Sequence, residues 1–210
     1  MNRPWLASYP SGVPATVDTG GYESLISIFE DSFSKFRDRD ANACMGKRQT
    51  YGDIDRRSRA LAAWLQGRGL KRGDRVAIMM PNVLQYPVAV AAVLRGGFIA
   101  VNVNPLYTPR ELEHQLKDSG AKAIIILENF ANTLEEVIEQ TDIEHVVIAK
   151  VGDLLGLAKG TIVNYVVKKS LPRYSLPGAV RFKVALWEGK KLDFAKPEIK
   201  KDDIAVLQYT

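Results

Sequence analysis

The sequence predicts an α/β fold, with layered helices around a mostly parallel sheet, and two observations carry that reading. After Gly73, short and nearly continuous apolar runs recur at 75–80, 98–103, 123–127 and 145–149. Strands buried on both faces have this pattern, because neither side of the strand meets water. Helical stretches separate the runs at 83–95, 109–119 and 133–140, and strand–helix–strand repetition builds a parallel sheet through right-handed crossovers. With 210 residues and 46% hydrophobic content, the chain is long enough to enclose a core.

Taken in order, residues 1–22 place prolines and glycines around Trp5 and Tyr9 and predict an extended arm with two aromatic anchors. Residues 23–150 read as an α/β subdomain. Its first helix starts at the N-cap Ser24 and turns Leu25, Ile28, Phe29, Phe33 and Phe36 to one face. A second helix follows Thr50, with Asp53 in its first turn and Ile54, Leu61 and Leu65 sharing a face, and Gly67 and Gly69 end it. The helix at 109–119 has explicit start chemistry in Thr108 as cap, Pro109 at the first position and Glu111 as capping-box partner, with Leu112 and Leu116 inward. In the stretch 133–140, Leu134, Val137 and Ile138 point inward. Residues 151–194 break the alternation and read as an excursion: a helix over 154–167, then Pro172 and Pro177, then a short apolar stretch over 180–186. In 195–210 a last strand, 204–210, stops without turn, cap or polar tail, so the expectation is a chain cut short.

The net charge of +5 is unevenly placed. Nine basic residues stand against Asp153 and Glu188 between Lys150 and Lys191, giving +7 there and −2 elsewhere. The helix in this stretch sets Leu155, Ala158, Ile162, Tyr165 and Val166 along one stripe beside Lys159, Lys168 and Lys169. Contact of 150–191 with an anionic membrane surface and docking on the sheet both remain open. Nucleic acid is excluded as a partner, because base-stacking aromatics and a continuous basic groove are lacking. No apolar run reaches the roughly 20 residues that span a bilayer, and residues 1–22 lack a signal-peptide core, so the expected location is the cytoplasm. The lone Cys44 fits a reducing compartment and reads as an inert thiol. With only His114 and His145 beside it, no zinc-ligand set is expected.

The residues by themselves offer no complete active site, and no catalytic or metal-binding residue is assigned. A Walker loop is absent, and Gly67, Gly69 and Gly73 follow a helix and precede a strand, the reverse of a nucleotide fingerprint. His114 and His145 read as solvated or structural, and Asp202–Asp203 as a turn before a strand. The turn from Asn102 to Tyr107 lies at the C-terminal end of a strand, where open α/β sheets place ligands, although Pro105 accounts for a tight connection without one.

Several stretches together resemble the adenylate-forming enzymes, specifically the bacterial long-chain fatty acid:CoA ligases. They are Gln49-Thr50-Tyr51-Gly52-Asp53-Ile54; Gly73-Asp74-Arg75-Val76-Ala77-Ile78-Met79-Met80-Pro81-Asn82, running into Gln85-Tyr86-Pro87; and Leu94-Arg95-Gly96-Gly97 through Asn102-Val103-Asn104-Pro105-Leu106-Tyr107-Thr108-Pro109-Arg110-Glu111-Leu112. The arm around Trp5 and Tyr9 and the Ala158-Lys159-Gly160-Thr161 segment are similar as well. The resemblance implies that the chain is part of the large N-terminal domain of such an enzyme. It also implies that Tyr209 and Thr210 lead into a Gly/Ser/Thr-rich phosphate-binding loop beyond this sequence, and these two residues are the cofactor-binding candidates. The intact enzyme would use ATP with Mg²⁺, a long-chain fatty acid and CoA, and members of the family dimerise through the N-terminal region. This segment alone is expected to be inactive. Two alternatives stand beside this reading: a self-sufficient α/β binding module contacting membranes or acidic partners, and an adenylating ligase for medium-chain or aryl acids.

Overall fold

Three serine or threonine side chains start three of the helices. In the computed structural model, which describes residues 3–18 and 20–209, Ser24, Thr50 and Thr108 cap α1 (Leu25–Lys35), α2 (Tyr51–Gly67) and α4 (Pro109–Ser119). Each closes a capping box, with Ser27, Asp53 and Glu111 respectively, so two otherwise orphaned N–H groups are satisfied at each start. Gly120, in the left-handed region at φ 58°, stops α4. α3 (Gln85–Arg95) has no side-chain cap and is held by burial instead.

Six strands form one all-parallel sheet in the order β7-β6-β5-β3-β4-β8. They are β3 (Arg75–Met79), β4 (Ile99–Asn102), β5 (Ala123–Leu127), β6 (His145–Ala149), β7 (Val180–Arg181) and β8 (Val206–Gln208). Alternation along each strand divides the core in two. Val76, Ile78, Ile125 and Val147 face α2, α3 and α7 (Phe182–Gly189), whereas Ala77, Met79, Ile124 and Ile126 face α4 and α5 (Ala131–Glu135). Both faces are therefore covered, as a parallel sheet requires. Trp64, Leu61 and Leu65 of α2 are fully buried, each contributing about 1.5–3 kcal/mol by leaving water. α7 crosses α2 at backbone contact: a Cβ on Gly189 would lie 1.9 Å from the Ala60 carbonyl oxygen.

Several sequence expectations are corrected. On α1 the buried residues are Ile26 and Phe33, while Leu25 and Ile28 are exposed, because the helix rests on α2 and α3 by a stripe rotated about one residue from the expected one. A hairpin precedes α2, with β1 (Asp40–Cys44) antiparallel to β2 (Lys47–Thr50) around Met45 and Gly46, both at positive φ. The expected helix over 133–140 is α5 flanked by 3-10 turns at Glu128–Phe130 and Ile138–Gln140. The apolar stretch 180–186 is strand β7 followed directly by α7, whose Phe182, Ala185 and Leu186 enter the core. The helix expected at 154–167 is α6 (Leu157–Ser170), shifted by a turn. In the arm, Pro4–Ser8 forms a 3-10 turn, and Trp5 and Tyr9 are exposed rather than anchored to this chain.

Candidate functional site

The side of the sheet where open α/β folds place ligands is the C-terminal strand edge, and here it centres on β4 and β8. Asn102 ends β4 and is fixed from three directions. Its Oδ1 accepts from the Tyr86 hydroxyl at 3.2 Å, its Nδ2 donates to Gln208 Oε1 at 3.5 Å, and its carbonyl accepts from Gln115 Nε2 at 2.9 Å. The parallel register pairs Asn102 with Gln208, so the two amides stand side by side at the rim. The turn that follows is an Asx turn: Asn104 Oδ1 accepts from the Leu106 N–H at 3.0 Å, and its carbonyl from the Tyr107 N–H at 3.1 Å. Leu106 projects into solvent while Tyr107 packs back onto the α4 face. The turn delivers the chain to Thr108, so β4, the rim and the start of α4 form one rigid corner.

Tyr209, the first residue after β8, folds back over the α4 side of the sheet with Leu207. Its hydroxyl donates to Asp118 Oδ2 at 2.5 Å. Partial burial, and then the Asp118 carboxylate, push the phenol up to about 12. The hydroxyl is thus committed to α4. Thr210 lies outside the described residues.

The remaining candidates are not brought to this rim. His114 is exposed on α4, and His145 Nε2 donates to the Arg68 carbonyl at 3.0 Å. Asp203 is bonded to Arg72 at 2.5 and 2.6 Å, which fixes the turn before β8. That pair borders a cleft of about 450 Å³ between α1 and residues 199–205, at the N-terminal ends of β4 and β8 and so on the side away from the rim. Among the described residues, no group of three His, Cys, Asp or Glu side chains could hold a metal ion.

A second polar cluster on the same strand edge was not foreseen. The buried Glu128, directly after β5, accepts from Lys150 Nζ and from the Tyr174 hydroxyl, both at 3.0 Å. Burial, reinforced by Glu128, pushes the Tyr174 phenol up to about 12. The sequence signal was modest: Glu128 and Lys150 each follow an apolar strand directly, a position that carries ligands or ties in this fold. Here they tie residues 171–180 onto the sheet.

With this geometry in hand, comparison with known proteins is specific. The AMP-binding enzyme family matches residues 29–210. Across the whole chain the sequence is 53% identical to a long-chain-fatty-acid–CoA ligase of Salmonella typhimurium and, over 99% of the chain, 34% identical to one of Bacillus subtilis. The chain spans 38% of the length of each of these curated relatives. Among solved structures, a long-chain-fatty-acid-CoA ligase from Archaeoglobus fulgidus superposes with a TM-score of 0.70 at 21% identity, covering 96% of this chain and 37% of that one. An anthranilate CoA ligase superposes at 0.71 with 19% identity, covering 90% and 32%. At those identities the superpositions speak to the fold, which is theirs, and the sequence match speaks to descent: the chain belongs to the AMP-binding enzyme family.

Proposed function

We propose that this chain is the N-terminal portion of an ATP-dependent long-chain fatty acid:CoA ligase, converting fatty acid, ATP and CoA to acyl-CoA, AMP and pyrophosphate through an acyl-adenylate. The observation that carries the reading is the 53% identity over the full chain to a relative of that name. In the adenylating step a carboxylate oxygen bonds to the α-phosphorus of ATP and the bond to pyrophosphate breaks, so an anion must approach a polyanion. Such a step depends on donors that are already oriented. This chain's share is the frame. β4 and β8 lock the Asn102–Gln208 rim, and the nucleotide-binding role is assigned to Tyr209 and Thr210, Tyr209 acting through its ring and backbone because its hydroxyl is held by Asp118. The chain spans 38% of the length of its curated relatives, and on this reading the segment alone is expected to be inactive.

Three narrower assignments belong to the same reading. The protein works in the cytoplasm, and residues 150–191 touch the membrane surface. No helix among the described residues is long and apolar enough to cross a membrane, and the contact proposed is a peripheral one. The arm, with Trp5 and Tyr9 exposed, pairs two copies of the protein, and deleting residues 1–22 should move the size-exclusion volume to that of a monomer. Thioester formation with acids of graded length tests the substrate. Turnover should rise toward long alkyl chains, and a preference for aryl or medium-chain acids would replace this reading with the other ligase class.

A further inference from the structure

Of the apolar stripe expected in residues 151–194, Leu155 precedes α6 and is buried, whereas Ala158, Ile162, Tyr165 and Val166 on the helix are exposed. α6 touches the body along its other side, through the buried Gly160, the half-buried Val163 and Val167, and Asn164, whose Oδ1 accepts from the Gly152 N–H at 2.8 Å. The contact is backbone to backbone, since a Cβ on Gly160 would come within 2.3 Å of the Gly152 carbonyl oxygen. Ile162, Tyr165 and Val166, at i, i+3 and i+4, therefore share the opposite face and are 64, 62 and 60% exposed. Lys159 and Lys168 border that face, Lys169 continues it one turn beyond Tyr165 and lies 4.5 Å from the Tyr165 ring centroid, and α6 contains no acidic residue.

A second element comes to the same place. Lys159 Nζ donates to the Met45 carbonyl at the tip of the β1–β2 hairpin. Met45 holds φ at +49°, a conformation suited to Asn or Gly, and its side chain is exposed. An apolar residue thus occupies a strained position beside the lysine border of α6, where an asparagine would relieve the strain.

We infer that the outward face of α6 and the Met45 hairpin tip together form an interfacial anchor for an anionic lipid surface. The inference rests on the peripheral contact of residues 150–191 proposed above, narrows it to one helix face, and adds an element outside that stretch. Charge decides the occupant: lysine is depleted in the cores of protein interfaces. An apolar stripe flanked by lysines with an aromatic residue at its centre is instead the form of a helix lying in the headgroup region.

Flotation of the full-length protein with phosphatidylcholine vesicles, with and without phosphatidylglycerol, tests the inference. Binding should require the anionic lipid and weaken at high salt. Lys168→Gln with Lys169→Gln should each lower affinity about fivefold, and Ile162→Ser with Tyr165→Ser at least as much. Met45→Asn gives the sharpest reading, because it should weaken vesicle binding while leaving thermal stability equal or higher. All these side chains are exposed, so circular dichroism should show an unchanged fold. If Lys190→Gln with Lys191→Gln abolishes binding while the α6 variants bind normally, the anchor is overturned and the broader contact survives. If the unaltered protein binds neither kind of vesicle, both fall. Equal binding to neutral vesicles also overturns the anchor. None of these readouts depends on ligase activity.

Discussion

Asp153, beneath α6, is a carboxyl whose burial sets it against neutral pH. Burial pushes its carboxyl up, and the Lys150 N–H at 2.8 Å, Lys183 and Asn164 recover only part of that cost. A carboxyl raised on folding favours the protonated native state, so its charge works against folding once pH rises through the folded value. Asp153→Asn keeps an oxygen for the Lys150 N–H and removes the charge. It should match or exceed the parent in stability at pH 7, by less than about 1 kcal/mol, and the difference should vanish below about pH 4. Thermal melts across that range check it; a stability loss at pH 7 would show that the charge is needed by Lys183 and Lys150. Glu111 has the opposite sign. The Thr108 N–H and then the Thr108 hydroxyl hold its carboxyl below the usual range, so its contribution is present above the ordinary glutamate value and is lost as pH falls through the folded one.

At the scale of elements, two changes separate local from non-local stabilisation. Thr108→Ala opens the capping box of α4 and should cost about 1 kcal/mol in chemical denaturation. Gly189→Ala drives a methyl into the Ala60 carbonyl where α7 crosses α2, and should cost about 1–3 kcal/mol by overpacking, lowering Tm by several degrees. If Gly189→Ala proves neutral, the crossing is looser than described. The same contrast explains what could be read beforehand. Capping pairs such as Thr50–Asp53 and Thr108–Glu111 lie three residues apart, and strands buried on both faces are unbroken apolar runs, so α2, α4 and β3 to β6 were visible in the chain. The hairpin was not, because its strands carry no large apolar residue and Met45 stands where Asn or Asp would have signalled the turn. The face of α1 was misplaced because its neighbours, α2 and α3, come from elsewhere in the sequence.

For the molecule as a whole, the sheet order sets what the chain can do. β8 joins β4 at the edge, and the Asn102–Gln208 rim forms only because residues more than a hundred positions apart are paired in register. Tyr209 was identifiable as a candidate through resemblance, but its bond to Asp118 spans 91 positions and no local pattern announces it. The Glu128–Lys150–Tyr174 tie was hidden for the same reason. The chain spans 38% of the length of its curated relatives, so on the proposed reading catalysis should depend on the rest of the protein. Fatty-acid-dependent ATP–pyrophosphate exchange measures that directly. The protein extended to the length of its relatives should exchange with a long-chain acid, and residues 1–210 alone should not. Exchange by the 210-residue chain, or none by the extended protein with any long-chain acid, would contradict the account.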